Sequence, residues 1–341
     1  MKKKIFIYIL IFIVISFSIL IVIFSSKIAS GKNENNIKIS VMYTNKDYIA
    51  NYGIYDLKKN DFKKVYSRKN ECFSDFSIDQ KHNILYYSNL IEKKYNIYKV
   101  DLTNKKDNTE RVAFNNCSGD MFDLYDNTLI FRTLQNVNNK NYTLGVFDIV
   151  NQDIRTFKND ADLQIYKFYY NKVNNKIYTI ERSISEMAST KSPNIPSNKV
   201  AEYDKSGENK KQIYSANKFI DNISVNNNAD KLLFDATDIV NKKTIHSIYL
   251  IDLKNKCEKV ILKPGDKFEN TKFNIIKSPQ FSPDEKGFYF LGSTLNSNII
   301  DQSNKGNTVT SNALYYYEFS TSKISKIFEV DDAIINIFKV N

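Results

Sequence analysis

Two hydrophobic patterns divide the chain. Residues 5–24 (IFIYILIFIVISFSILIVIF) form an unbroken apolar run in which Ser16 and Ser18 are the only small polar breaks. From Lys38 onward, apolar residues recur at alternate positions in short runs separated by Asn, Asp and Lys, and no stretch keeps a 3.6-residue period. The first pattern predicts a helix, which at about 1.5 Å per residue is about 30 Å long and matches the hydrocarbon core of a bilayer. The second predicts strands joined by polar turns.

Lys2, Lys3 and Lys4 precede the apolar run, which favours an N-terminus kept in the cytoplasm and a C-terminal part outside. The expected organisation is a basic N-terminus (1–4), a signal-anchor helix (5–24), a polar extracytoplasmic tether (25–37) and a β-domain (38–341). A cleaved signal peptide, and hence a secreted protein, is the alternative. The apolar run is longer than a signal peptide needs, and SSKIASG offers no clean small-x-small site.

The β-domain repeats. An aromatic strand ending in Asp-Leu or a relative, a polar turn and a short strand recur six times, beginning with YGIYDLKKNDFKKVY (52–66). The copies are anchored at Asp56, Asp101, Asp148, Asp204, Asp252 and Glu318, with gaps of 45, 47, 56, 48 and 66 residues. Four strands per 40–50 residues is the period of a propeller blade, so six copies predict an all-β, six-bladed propeller of four-stranded blades. A seven-bladed ring or an irregular sandwich is the competing architecture.

A second cassette precedes most copies: FSIDQKHNILYYS (76–88), LYDNTLIFR (124–132), VNNNADKLLFDA (225–236) and FSPDEKGFYFLGS (281–293). These residues resemble the TolB-like, WD-related propeller repeat, roughly F-S-P-D-G-K-x-I-x-F. Phe281, Ser282, Pro283, Asp284, Lys286 and Phe290 match best, whereas Glu285 stands where the family prefers Gly. The resemblance spans nearly all of 38–341 and implies only the fold, since such propellers serve as protein-binding platforms, peptidase lids and carbohydrate-acting enzymes. Tyr86, Phe131, Tyr178, Phe234 and Phe290 are expected to pack blade on blade. Asn and Asp are expected to replace the scarce Gly at turns needing φ > 0.

Blade 1 lacks its first strand at the N-terminal end, while AIINIFKV (333–340) is a spare strand after the last copy. This strand is expected to complete blade 1 and close the ring, which removes exposed edges. The a–b turn face then looks toward the membrane. The long b–c loops 182–198 and 293–312 look away from it, as a binding surface or as unstructured filler.

Composition narrows the chemistry. Nine Gly and no G-x-G-x-x-G or Walker-type run leave no phosphate loop. His82 and His246 lie in no zinc-ligand pattern, so no metal or other cofactor is expected. No G-x-S-x-G elbow supports a Ser–His–Asp hydrolase. Cys72, Cys117 and Cys257 fall in different blades and are expected as buried packing thiols. The net charge of +11, or +7 without residues 1–31, suits an anionic partner, although Lys and Asn enrichment also reads as a compositional bias. Nucleic acid is not expected, because the basic residues are scattered.

Charged residues near the ends of the b strands, Arg132, Glu181 and Asp235, are expected at equivalent places around the channel mouth. With Arg182, Lys191 and Ser297 they make the candidate binding set on the loop-bearing face. The expected function is non-catalytic docking of a protein, peptide or anionic envelope polymer. The alternatives are a carbohydrate-acting enzyme using Glu181 and Asp235 as paired carboxylates, and a structural spacer in a membrane assembly.

Overall fold

A computed structural model describes residues 37–340, apart from 70–74, 92–93, 105–108, 113–118, 137–138, 159, 192–193, 241–242 and 303–307. The apolar run 5–24 and the tether up to residue 36 lie outside the described residues, as do Cys72 and Cys117. No helix among the described residues is long and apolar enough to cross a membrane.

The strands pair into six antiparallel blades. Blade 1 contains β1 (Lys38–Asn45), β2 (Ile49–Asp56) and β3 (Asp61–Lys69). Blade 2 contains β4 (Phe76–Asp79), β5 (Ile84–Ile91), β6 (Lys94–Asp101) and β7 (Thr109–Arg111). Blade 3 runs through β8 (Gly119–Tyr125), β9 (Thr128–Asn136), β10 (Asn139–Asp148) and β11 (Asp153–Thr156). Blade 4 has β12 (Leu163–Asn171), β13 (Lys176–Ser183), β14 (Asn198–Asp204) and β15 (Lys211–Ala216), with the short helix α1 (Ile184–Ser189) after β13. Blade 5 has β16 (Phe219–Val225), β17 (Lys231–Val240), β18 (Lys243–Asp252) and β19 (Cys257–Leu262). In blade 6, β20 (Lys267–Phe268) adds to β21 (Thr271–Phe281), followed by β22 (Gly287–Thr294), a separate hairpin of β23 (Ile299–Gln302) and β24 (Thr308–Thr310), then β25 (Ala313–Glu318) and β26 (Ile324–Glu329).

The last strand, β27 (Ala333–Val340), pairs with β1 and becomes the inner strand of blade 1. The expected closure is therefore present, and the blade count is six. Six hydrophobic clusters fill the six interfaces between consecutive blades, including the junction of blades 6 and 1, where Phe338 packs with Ile39, Tyr289 and Leu314. Tyr86, Phe131, Tyr178, Phe234 and Phe290 are all buried in these clusters, as their alternation predicts. Alternation works because the two faces of each blade meet different neighbours.

The recurrent Asp at the end of each c strand has a local cause. Asp148 accepts the amides of Val150 and Asn151 at 2.9 and 3.0 Å, and Asp252 accepts those of Lys254 and Asn255 at 2.9 Å each. Each carboxylate thus closes its own c–d turn. Asn83, Asp126 and Asn175 take positive φ at a–b turns, as expected for Gly substitutes. Ala229 and Glu285 hold the same conformation at φ 54° and 56° without that advantage. Cys257 is exposed at the start of an outermost strand, which corrects the expected packing role. Alternation on a d strand divides solvent from a neighbour only where a neighbour covers it.

Candidate binding site at the mouth of the central channel

The inner strands of five blades, with Asp75 just ahead of the inner strand of blade 2, surround a cavity of about 470 Å³. Its lining includes Asp75, Phe122, Lys167, Asn222, Ser278 and Lys339. In blades 3, 4 and 5 the inner strand bulges, leaving Asp120, Tyr166 and Asp221 without a register partner on the b strand. In blade 1 the same irregularity frees Asn336, and in blade 6 Ser278 and Pro279. A bulge re-aims its side chain. Asp120 turns to Arg132, Tyr166 lies 3.5 Å beneath the Arg182 guanidinium, and Asn336 accepts from Thr44 at 2.8 Å.

Three b-strand charges clasp the next blade. Arg132, 8% exposed, forms a two-pronged ion pair with Asp120 and donates to the Tyr166 carbonyl of blade 4. Arg182 donates to Asn198 and to the Ile220 carbonyl of blade 5, both at 2.8 Å. Asp235, fully buried, accepts the Ser278 amide of blade 6 at 2.9 Å, both Asn222 contacts at 2.9 and 3.0 Å, and His246 at 3.3 Å.

Glu181 departs from the expected set. Relative to the bulge, Arg132 matches Asp235, whereas Glu181 is offset by one position. One residue in a strand reverses the face. Glu181 is 1% exposed and meets Thr179 and Tyr203 within blade 4, with Lys210 at 2.8 Å. It lies on the face of β13 that carries Ile177 into the interface with blade 3, while Asp235 lies on the face of β17 that meets blade 6. Among the described residues the two carboxylates share no hydrogen-bond or ion-pair partner.

The remaining candidates, Lys191 and Ser297, belong to the two long b–c loops. Both loops have structure of their own where they are described, in place of unstructured filler. Ser183 caps α1 by accepting the Glu186 amide at 3.0 Å. Asp162 accepts the Ser185 amide and both serine hydroxyls, and Glu186 accepts the Ser197 amide at 2.7 Å to fold the loop back. Lys191 follows α1 and is exposed. Ser297 is a turn residue whose Oγ accepts the Thr294 amide at 2.9 Å. The β23–β24 hairpin leans to blade 1, where the Tyr48 hydroxyl reaches Asp301 at 3.2 Å. Leu295, Ile299 and Val309 on the blade 6 loop, and Tyr48 on the neighbouring β1–β2 turn, leave large apolar surfaces exposed.

The channel carries charges of both signs. Lys339 on the closing strand reaches the Phe122 carbonyl at 2.7 Å, Asp75 at 3.4 Å and Asp123 at 3.6 Å. Burial pushes the Asp75 carboxyl up, against the pull of Lys339. Burial likewise pushes the Lys167 amine down, although Asp235, Asp75 and Asp221 oppose it. Burial raises Asp221, with the Asp235 charge adding to it. For His246 burial acts downward, but the hydrogen bond and charge of Asp235, with Asp221, outweigh it and raise the imidazole. Among the described residues no cluster of His, Cys, Asp and Glu has metal-holding geometry. What the mouth provides is a rigid rim of hydrogen-bonding groups beside apolar loop surfaces. Lys167, Lys277, Lys339, Asp75 and Asp221 escape the sequence reading. Their available signal is an ionisable residue interrupting, or just preceding, an inner strand.

No family model matches the chain. A protein of Bacillus subtilis (strain 168), the uncharacterized protein YdjN, is 24% identical over 320 residues, covering 91% of this chain and 89% of that one. Among solved structures, TolB from Acinetobacter baumannii superposes with a TM-score of 0.60 at 12% identity, over 89% of this chain and 66% of TolB. An oligogalacturonate lyase in complex with manganese gives 0.50 at 12% identity, over 86% of this chain and 73% of the lyase. The chain is thus a six-bladed propeller of TolB-like fold, and at these identities the likeness extends to fold alone.

Proposed function

We propose that this protein is an extracytoplasmic binding platform, anchored in a bacterial cytoplasmic membrane through residues 5–24. Its b–c face docks a protein, peptide or anionic envelope polymer without chemical turnover. The observation that carries the reading is the coincidence, on one face, of the two built b–c loops, their exposed apolar side chains and the charged channel mouth. Apolar anchors bordered by polar groups are the composition of a protein-docking surface. The likeness to TolB is consistent with this reading, while the likeness to a lyase keeps carbohydrate chemistry as the alternative. That alternative loses its proposed catalytic pair, because Glu181 and Asp235 face different blade interfaces.

Two experiments test the proposal. Exposed Cys257 in intact cells is expected to react with a membrane-impermeant maleimide; labelling only after lysis contradicts the extracytoplasmic placement. Cross-linking of the full chain in cells, followed by mass spectrometry, is expected to recover a reproducible partner that is lost when 184–190 and 295–310 are shortened. Recovery unaffected by the shortened loops contradicts docking on this face.

A further inference from the structure

The blades guard their outer edges in one way. Their outermost strands are β3, β7, β11, β15, β19 and β26, and each carries a basic residue: Lys63, Arg111, Arg155, Lys211, Lys259 and Lys326 respectively. A charged side chain on an edge strand opposes pairing with a further strand. The hairpin of β23 and β24 departs from this pattern. Its strands read IIDQ and TVT, with no Lys, Arg or Pro in either, and Lys305 falls in the connection between them, outside the described residues. The hairpin is a two-stranded sheet of its own, outside every blade ladder. Ile299 and Val309 stand 63% and 40% exposed on it, an apolar surface without cover. Asp301, the one charge in the two strands, meets the Tyr48 hydroxyl of blade 1, and the Ser311 amide closes the base of the hairpin on the Asn298 carbonyl at 2.8 Å. Among the described residues β24 makes no hydrogen bond outside the hairpin.

An antiparallel pair leaves the outward N–H and C=O groups of each strand unspent, and two strands without cover are marginal on their own. We infer that the free edge of β24 receives an extended polypeptide segment of the docked partner, added as a third strand. This rests on the binding-platform reading and specifies its chemistry. What recognises a row of N–H and C=O groups at strand spacing is another extended main chain, which neither a polysaccharide nor a lipid headgroup presents. Apolar or β-branched side chains at alternate positions of that segment cover Val309 and its neighbours. A second copy of the chain fits less well. The seven residues of the two strands are too few to supply, between two hairpins, the roughly 1,200 Å² of a stable interface. A longer segment continues over Leu295 and Tyr48, which are exposed beside the hairpin.

The test selects a displayed library of random linear peptides, about a dozen residues long, on the full-length chain in detergent micelles. Enriched peptides are expected to alternate apolar or β-branched residues with polar ones. Their binding is expected to weaken tenfold or more in Val309→Lys and in Thr310→Lys, which install the guard that the outer strands carry. It is expected to stay within threefold of the parent in Val260→Lys, an exposed position on the already guarded β19. In the unsubstituted chain, N-methylation of an enriched peptide at successive residues is expected to cost tenfold or more at alternate positions only, because a paired strand spends every second amide on its neighbour. That readout is independent of how the variants fold. Absence of enrichment, binding unchanged in both hairpin variants, or an N-methylation profile without alternation overturns the added strand. A concentration-dependent dimer of the full-length chain that is lost in Val309→Lys assigns the edge to a second copy and likewise overturns it. A discrete partner adduct from Lys191 despite such a result overturns the added strand alone and leaves the platform reading standing.

Discussion

Asp235 accepts the backbone amide of Ser278 at 2.9 Å, so a b-strand side chain of blade 5 is bonded to the inner strand of blade 6. Arg132 and Arg182 make the corresponding link with the opposite polarity, donating to carbonyls of blades 4 and 5. A propeller's blades share no strand ladder with one another, so side chains must bridge the seams. These three do so at the end of the ring that bears the long loops.

Loss of this bridge is costly. Asp235→Ala leaves the Ser278 amide, Asn222 and His246 facing a void, and is expected to lower stability by about 3–5 kcal/mol. Asp235→Asn keeps the shape but turns an amide donor toward other donors, for an expected loss of about 1–3 kcal/mol. Urea midpoints at unchanged m-value measure both. Equal stability of all three proteins contradicts the clasp.

The pH dependence has a defined sign. His246 is raised above its ordinary 6.5 by Asp235 and Asp221, which outweigh the opposing effect of burial. A group raised on folding contributes stability that is complete below about 6.5 and is lost as pH climbs through the folded value. Thermal midpoints are therefore expected to fall as pH rises above 6.5, and His246→Gln is expected to flatten that limb. A parallel pH profile in the variant contradicts the assignment.

At the acid end the turn carboxylates dominate. Asp204 is lowered to about 2, chiefly by the Ser206 hydroxyl and then by the Glu208 amide and Asn209. Its contribution is present above the ordinary value near 3.8 and is lost as pH falls toward 2. Asp204→Asn is expected to be less stable than the parent at pH 6, with the difference narrowing below pH 4. A difference that stays constant across that range excludes this titration as its cause.

Two turn positions separate backbone strain from side-chain bonding. Lys256 is exposed in a c–d turn at φ 52°, where an L side chain costs about 1–2 kcal/mol. Lys256→Gly is expected to stabilise by about 1 kcal/mol after the added flexibility of the unfolded chain is counted. Glu285 holds the same conformation but accepts the Asn227 amide at 2.6 Å and the Asn226 side chain at 3.1 Å, tying blade 6 to blade 5. Glu285→Gly is therefore expected to bring no gain, although it restores the residue the repeat family prefers. Denaturant titration of the two variants decides the pair, and a clear gain from Glu285→Gly contradicts the inter-blade role.

The repeat, the blade count and the closing strand were legible because each depends on period-two alternation and on Asp-marked turns. Closure can be tested at Phe338, which is 1% exposed between blades 6 and 1. Phe338→Ala is expected to cost about 3–5 kcal/mol. The site was less legible. Blades 4 and 5 carry equivalent bulges, but Asp235 pairs with the residue just after its bulge and Glu181 with the one just before, a displacement of one position that puts the two carboxylates on opposite faces. Nothing in the alternation of either strand marks that displacement. Lys167 and Lys277 were missed for a related reason: inner strands face the channel on one edge, so an ionisable residue there looks like an interruption of a core strand.

The most direct test of the platform is site-specific photo-cross-linking of the full chain in cells. The photoreactive residue is placed at Lys191 or Ser297 on the b–c face, and at Lys59 or Lys256 on the opposite face. The account predicts a discrete, reproducible adduct from Lys191 and Ser297 and none shared with Lys59 or Lys256. The same adducts from both faces, or adducts only from Lys59 and Lys256, would contradict it.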